Sequence, residues 1–283
     1  MLPRPFRPLS GLTAAALLAL AGPAAGESPP PTPPLPQLAY ADLADLADSA
    51  PLVVRLQLRK LVQIEPERAR GVRSGYGRFY VEARTEALIA GASALGEAQK
   101  FLADLPLDAK GKPPRLRKVS VVVFARPVPG RPGELQLVAP DALVAWDAST
   151  DMRLRAILAE LLGGNAPPRV SGVREAIFVP GNLAGEGETQ LFLATPGGEP
   201  AAITVVRRPD TAPSWSVSFS EVLDAGGLPP RPETLAWYRL ACFLPRTLSA
   251  GAHVSASAED RAQAAQDYAL VLGQLGTCGR LRR

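Results

Sequence analysis

The sequence contains few of the residues that usually carry catalysis or bind transition metals. Its 283 residues include a single histidine, His253, together with two cysteines and two methionines. It has no H-E-x-x-H, C-x-x-C, G-x-S-x-G or S-x-x-K motif, which argues against the common zinc-peptidase, thioredoxin-like and serine-hydrolase sites. A zinc site would need cysteine or carboxylate ligands beside the one histidine. We therefore predict no catalytic residue, no cofactor and no metal site.

The chain also has only a small excess of positive over negative charge. The chain has 31 Lys and Arg against 27 Asp and Glu, a formal net charge of +4. Arg4 and Arg7 lie in a leader without acidic residues, so the chain after residue 26 has a net charge of about +2. Proteins that bind nucleic acid usually carry a larger, clustered excess. We expect no nucleic-acid partner.

The one apolar run near the N-terminus is too short for a membrane span. Arg4 and Arg7 precede apolar residues 9–21, and small residues ending at Gly26 suit a signal peptidase. Crossing a bilayer takes about 20 apolar residues, so a membrane anchor is the weaker alternative. We predict a cleavable bacterial signal peptide over residues 1–26, a periplasmic or secreted protein, and no integral membrane segment after cleavage.

Two cysteines remain after cleavage, Cys242 and Cys278. In an oxidising compartment an even number of cysteines most simply forms disulfides. A Cys242–Cys278 bond would close a loop of about 37 residues and stabilise the fold by about 3–4 kcal/mol in the chain-entropy model. The alternatives are two free buried thiols, or a Cys242 nucleophile with His253 as its base.

The abundance of turn residues, 30 prolines and 25 glycines, indicates many short elements rather than long helices. We predict an α+β fold with two small, mainly antiparallel β bodies and a C-terminal helical hairpin stapled by the disulfide. A signal peptide (1–26) and a Pro-rich leader (27–37) precede the first body (38–164). The second body (171–283) contains a β meander followed by the hairpin.

The first body is predicted from alternating apolar and polar residues. Segments 52–64 and 77–87 alternate strictly and form an antiparallel pair, with Lys60 the one charge on the apolar face, where it either extends outward or sits at a bulge. Segment 94–105 has spacing compatible with a short helix, and 119–125 is a central strand. A barrel and a sandwich both fit this pattern.

The second body is organised around residues 214–220, Ser-Trp-Ser-Val-Ser-Phe-Ser. Its apolar side chains share one strand face and its serines the other, and we expect the serine face to contact solvent. Segments 189–194 and 202–208 are predicted to pair beside it. Helices over 233–243 and 258–275 complete the body.

Several groups of polar residues have both a functional and a structural interpretation. Asp42, Asp45 and Asp48 suggest either a calcium site or simply an acidic helix over 40–49, which we favour. A loop with Arg68, Arg70 and Arg73 either holds an anionic ligand or is merely solvated.

Two further groups could form a site in the second body. The glycine-rich loop 181–188 contains Glu186 and Glu188, which would pair with Glu175 or Glu221 as acid and base in a hydrolase; a hairpin turn explains the glycines better. An aromatic platform would use the residues Trp215, Trp237 and Tyr238, which are more simply core residues.

Taken together, these patterns predict an exported soluble envelope protein that acts as a non-enzymatic binding or structural module, with a protein partner in the cell envelope. The alternatives are a periplasmic hydrolase that uses the loop carboxylates, and a chaperone or inhibitor that presents a sheet edge.

Overall fold

Two antiparallel sheets and four helices form the framework of the protein. The computed structural model describes residues 35–92, 94–113, 115–220 and 227–282. The predicted signal peptide, most of the leader and Glu221 lie outside these ranges. The sheets and helices confirm the predicted α+β fold.

The first sheet has six strands in the order β3-β2-β1-β4-β5, with β6 also paired to β4. Its elements in chain order are α1 (Tyr40–Ser49), β1 (Leu52–Gln63), β2 (Tyr76–Ala90), β3 (Ala98–Pro106), β4 (Ser120–Pro127), β5 (Leu135–Leu137), β6 (Leu143–Ala145) and α2 (Ala148–Leu162). Alternation explains the long β1–β2 pair, because buried and partly exposed residues alternate from Val54 to Leu58 and from Tyr76 to Ala83, whereas Val53 is buried on the other face of β1. The pairing register shifts between Leu58 and Lys60, which brings Lys60 opposite Glu82. The bulge alternative for Lys60 is thus confirmed.

The first sheet curls strongly but does not close into a barrel. Two backbone hydrogen bonds join its edges, from the Lys100 amide to the Gly133 carbonyl (2.8 Å) and from the Asp104 amide to the Pro140 carbonyl (2.7 Å). Between these bonds the chain takes four residue steps along β3 but seven along the other side. The two sides therefore cannot keep the matched spacing of a continuous ladder.

The helix predicted over 94–105 is wrong, because this segment contains β3. Phe101, Ala103 and Leu105 alternate into the core, and the strand pairs along its length with β2. Its apolar residues fit both the helical and the strand period. The open edge of β2 selects the strand, since pairing there satisfies backbone groups on both chains.

The second sheet has the order β10-β9-β8-β7 and lies against helix α4. Its elements are β7 (Gly172–Pro180), β8 (Gly187–Ala194), β9 (Ala202–Arg207), β10 (Ser214–Ser218), α3 (Leu235–Ala241) and α4 (Ala258–Leu275). Asp267 of α4 is fully buried between Arg207 (Nη2, 2.5 Å) and the Thr189 hydroxyl (2.5 Å). This ion pair holds the helix against the sheet in addition to the apolar contacts.

The serine face of β10 is only partly solvated. Ser214 and Ser220 are exposed as expected, but Ser216 is 2% exposed. The expectation of solvent along the whole face is therefore wrong at Ser216. The strand also ends at Ser218 rather than at residue 220.

The helices follow their predicted ends closely. The Ser257 hydroxyl accepts a hydrogen bond from the Asp260 amide (2.9 Å) at the start of α4, and Gly276 (φ +71°) ends it. At α2 the N-cap is Asp147, whose side chain accepts a hydrogen bond from the Thr150 amide (2.8 Å). No helix in the described ranges combines the length and the apolar character needed to cross a bilayer.

Candidate functional site

The disulfide joins the end of α3 to the chain just after α4. Cys242 and Cys278 are bonded, with their Cα atoms 4.8 Å apart, and no described cysteine is free. The predicted staple is confirmed. Because the Cys242 sulfur is bonded, it has no thiolate to serve as a nucleophile. His253 lies beside β7, where its backbone forms an isolated parallel β-bridge with Ala176.

The three aspartates of α1, which we call the aspartate ridge, bind other parts of the chain. Asp42 is 1% exposed and accepts hydrogen bonds from the backbone amides of Leu281 (3.0 Å) and Arg282 (3.0 Å). Asp45 accepts two hydrogen bonds from Arg280 (2.6 and 2.9 Å). The ridge therefore holds the C-terminal tail against α1.

Asp48, the last carboxylate of the ridge, is bound by two arginines. Arg239 of α3 donates two hydrogen bonds (2.9 Å each) and Arg169 donates one (2.8 Å). Burial by itself would raise the pKa of Asp48, but the hydrogen bonds and charges of Arg239 and Arg169 outweigh it and hold the pKa below its ordinary value. The acidic-helix interpretation is supported, and no group of three acidic, His or Cys side chains in the described part of the chain could hold a metal ion.

The loop carboxylates of the second body are only partly brought together. Glu186 and Glu188 line a shallow groove of about 490 Å³ with Arg207. Glu186 accepts hydrogen bonds from the Asn182 (3.1 Å) and Leu183 (3.2 Å) amides and so closes the β7–β8 hairpin loop. Glu175 does not line this groove and pairs with Arg174 (3.3 Å). Glu221 lies outside the described residues.

The three aromatic residues do not form an exposed platform. Trp215 is 2%, Trp237 7% and Tyr238 1% exposed. Both indole N–H groups are used internally, by Gln274 (2.7 Å) and by the Leu275 carbonyl (2.9 Å). These residues are core residues.

One end of the first sheet carries a concentration of exposed positive charge. Loops 64–75 and 107–119 leave the same end of the sheet, since both follow an upward strand and precede a downward one. They touch where the Leu107 amide donates to the Gly75 carbonyl (2.8 Å). We define the cationic end as the eight exposed residues Arg59, Arg68, Arg70, Lys110, Lys112, Arg115, Arg117 and Lys118.

Nearby carboxylates neutralise little of the positive charge of the cationic end. Within the described ranges, none of its eight side chains forms an ion pair. The loops contain three carboxylates, of Glu65, Glu67 and Asp108. Asp108 uses its carboxylate to accept from the backbone amides of Lys110 and Lys112 (2.8 Å each). The cationic end therefore keeps a local excess of positive charge.

The loop that carries most of these cations is anchored at Leu116. This side chain is 1% exposed and belongs to the core, although Arg115 and Arg117 on either side are exposed. Lys118 has φ +69° and its amide donates to the Leu58 carbonyl (2.8 Å). The anchor therefore fixes the part of the loop that carries Arg115, Arg117 and Lys118.

The three arginines of the predicted arginine loop, Arg68, Arg70 and Arg73, lie in two different environments. Arg68 and Arg70 belong to the cationic end, whereas Arg73 packs over the Tyr76 ring (3.8 Å to its centroid) and pairs with Asp141 (3.0 Å). Arg73 lines a pocket of about 290 Å³ beside residues 35–38. The cations between Lys110 and Lys118 were not predicted to form a site, although five basic residues within nine positions are a usable signal.

Comparison with known proteins gives no functional assignment. No protein-family model matches the chain, and no curated protein is detectably similar to it.

Proposed function

We propose that this is an exported, non-enzymatic binding module of the bacterial envelope that attaches to an anionic lipid surface through its cationic end. The observation that carries the proposal is the set of eight exposed basic side chains without described ion pairs, set against three carboxylates. The chain after residue 26 is almost neutral overall, so this end differs sharply from the rest of the molecule.

The form of the cationic end favours an extended array of negative charge over one small ligand. Seven of its side chains lie on two exposed loops, and Arg59 lies near the end of β1 that leads into the first of them. A membrane rich in anionic lipid presents such an array, and each Lys or Arg near its surface contributes about 1 kcal/mol. Screening by salt weakens this attraction, because the Debye length is about 8 Å at physiological ionic strength.

Export is supported by two independent features. The disulfide is of the kind that persists in oxidising compartments, and the predicted signal peptide directs the chain to such a compartment. Both features support an anionic surface of the envelope as the proposed partner.

The test is sedimentation with vesicles of phosphatidylglycerol and phosphatidylcholine. We expect binding that increases with the anionic lipid fraction and is lost in about 0.5 M salt. Replacing Lys110, Lys112 and Arg117 by Glu should reduce partitioning about 100-fold or more, since three attractive charges of about 1 kcal/mol each are lost.

A matched control separates local charge from total charge. Arg126, Arg208 and Arg246 are exposed and lie outside the cationic end, so their replacement by Glu changes the net charge equally. We expect this variant to keep most of the binding. Equal loss in both variants, or equal binding to neutral vesicles, would overturn the proposal.

The hydrolase remains the second candidate, and one observation favours it: Glu186 and Glu188 line the same groove. If the groove hydrolyses glycosides or esters, Glu188→Gln should abolish turnover while leaving the fold intact. Absence of turnover by the unaltered protein on a broad substrate panel would exclude this alternative.

A further inference from the structure

The two edges of the curled first sheet run in the same direction. Along the order β3-β2-β1-β4-β5 each neighbouring pair of strands is antiparallel. The first and the last of these five strands, β3 and β5, are therefore parallel, and the isolated bridge between Lys100 and Glu134 is parallel as well. We call the junction between residues 100–104 of β3 and residues 133–140 the seam. One further strand, antiparallel to both edges, would restore the alternation of directions across the seam.

On the β3 side, the seam contains backbone groups without a partner. The amides of Lys100 and Asp104 donate across the seam to the carbonyls of Gly133 (2.8 Å) and Pro140 (2.7 Å). Bonded and non-bonded positions alternate along an antiparallel pair, so Leu102, midway between these two residues, also directs its N–H and C=O groups away from β2 and towards the seam. Among the described residues, none forms a hydrogen bond with these two groups.

The opposite side of the seam has the same property at Leu137. The Val128 amide donates to the Glu134 carbonyl (3.1 Å), and the Val138 amide donates to the Phe124 carbonyl (3.0 Å). Residues 134, 136 and 138 therefore face β4, and the backbone of Leu137 between them faces the seam. No backbone hydrogen bond of Leu137 on this side is found in the described ranges. Both sides of the seam thus present backbone groups that an additional strand could bind.

A groove of about 640 Å³ follows the seam. Leu102, which is 50% exposed, and the nearly buried Leu135 and Leu137 are among its lining residues. A strand edge with unpaired backbone groups and an exposed apolar side chain is a template for pairing with another chain. The groove therefore offers both the backbone partners and the apolar contacts that an extended segment needs.

We propose that the seam accepts an extended segment of a partner protein, which enters as a strand antiparallel to both β3 and β5. The two hydrogen bonds that close the seam are replaced by hydrogen bonds from each side to the entering strand. The seam widens by one strand spacing, about 4.8 Å. We assign the movement to β5, because it pairs with β4 at three positions, whereas β3 pairs with β2 at nine.

The residues beside the seam define the sequence of the partner segment. Phe101 and Ala103 are buried in the core, whereas Leu102 between them points outward. Residues directly opposite on neighbouring strands share a face, so the segment needs apolar side chains at two alternate positions and a residue between them that packs beside Leu102. Residues 100–104 limit its length to about five residues, or about 17 Å. β-Branched residues suit such a strand best.

The experiment uses the purified protein, without vesicles, and the peptide Ac-Thr-Val-Thr-Val-Thr-amide. We expect saturable binding in an NMR titration of the backbone amide signals. Relative to unfolded-chain rates, the Leu102 amide of the free protein should exchange at least 10-fold faster than the Ala103 amide, which faces β2. The bound peptide should slow exchange of the Leu102 amide at least 10-fold, because this amide then has an acceptor.

Two N-methylated peptides test the pairing on each side of the seam. Methylation of the central Thr nitrogen removes a donor to β3, and methylation of both Val nitrogens removes donors to β5. Each change should weaken binding at least 10-fold, since each leaves an acceptor of the protein unpaired. An effect of the first change alone would show addition to β3 without insertion and would overturn the proposal.

A substitution in β3 tests the same hydrogen bond from the side of the protein. Leu102→Pro removes the amide N–H that faces the seam, where no described hydrogen bond is lost, and proline is tolerated at a strand edge in this orientation. We expect at least 10-fold weaker binding of the peptide. The matched control Leu102→Thr keeps the N–H and should bind within about 3-fold of the unaltered protein.

Three results would each overturn the proposal: no binding of the peptide at about 1 mM, equal binding of the methylated peptides, or a Leu102 amide that is as protected in the free protein as that of Ala103. The peptide comparison decides the question even where Leu102→Pro does not fold. Because no lipid is present, the result is independent of the vesicle test.

Discussion

At the scale of single residues, each fully buried charged side chain in the described ranges has a hydrogen-bond or ion-pair partner, namely Asp42, Asp104, Arg239 and Asp267. Asp48 and Arg239 illustrate this, since Arg239 is 3% exposed and is bound to Asp48 through two hydrogen bonds. A pair of this kind contributes little net stability compared with apolar residues, but removal of one partner leaves an unpaired buried charge. The aspartate ridge is therefore sensitive to single substitutions.

Asp48→Asn should lower the free energy of unfolding by about 3 kcal/mol at pH 7, because Arg239 loses its counter-ion while still buried. The pKa of Asp48 in the folded protein lies below its ordinary value of 3.8. The carboxylate therefore stabilises the fold above that pH, and its contribution is lost as the pH falls further. Urea unfolding of both proteins at several pH values measures this difference.

We expect the difference in the free energy of unfolding between the unaltered protein and Asp48→Asn to decrease as the pH falls from about 4 towards about 2. Glu97→Gln, at an exposed position, serves as the control and should change stability by less than about 0.5 kcal/mol. A gap that stays constant down to pH 2 would contradict the assigned role of the charge.

At the scale of elements, local sequence patterns predict a strand or helix correctly where the residues of that element themselves carry the alternation, caps and turns. The β1–β2 pair and α4 carry their own alternation, caps and turn residues, and both match the prediction closely. Segment 94–105 shows the opposite case, because its residues fit two periods and only the edge of β2 selects the strand. Strand β6 (Leu143–Ala145), which also pairs with β4, has three residues and is too short to show an alternating pattern.

The disulfide is one of the links between α3 and α4, beside the hydrogen bond from the Trp237 indole to the Leu275 carbonyl. Replacing both Cys242 and Cys278 by Ser should lower the free energy of unfolding by about 3–4 kcal/mol, because the unfolded chain regains the entropy of an open loop. Thermal unfolding with and without dithiothreitol measures the effect. The reductant should destabilise the unaltered protein by the same amount and leave the double variant unchanged; equal stability of all forms would contradict this role.

At the scale of the whole molecule, the aspartate ridge connects segments far apart in sequence. Its three carboxylates bind the C-terminal tail, α3 and the segment around Arg169. The buried residues of both sheets and all four helices belong to one hydrophobic cluster. The first helix of the described chain thus depends on its last residues.

Truncation after Gly279 should therefore destabilise the whole protein by about 3 kcal/mol, because Asp42 stays buried after losing the Leu281 and Arg282 amides. Calorimetric unfolding of the truncated chain tests this. Leu281→Ala is the control, since the side chain is 65% exposed and the substitution keeps the backbone donors. A truncated protein as stable as this control would show that the tail is dispensable.

The candidate sites were predictable only in part. The cationic end could have been found from five basic residues between Lys110 and Lys118, but the charge of the whole chain concealed it, because acidic residues elsewhere offset the local excess. The common contact of Arg73 and Arg282 with Asp141 could not be found this way. Arg73 and Arg282 are 209 positions apart, and nothing local to either residue indicates that both contact Asp141.

The sequence alone determined the alternating strands and the capped α4, which depend on periodicity and on neighbours within a few residues. It also determined the cysteine pair, because the chain has only two cysteines to bond. The tertiary structure decided the strand at β3, the open curl of the first sheet, and the partners of the aspartate ridge. Each of these is a choice between locally equivalent states, settled by the free energy of contacts between distant segments.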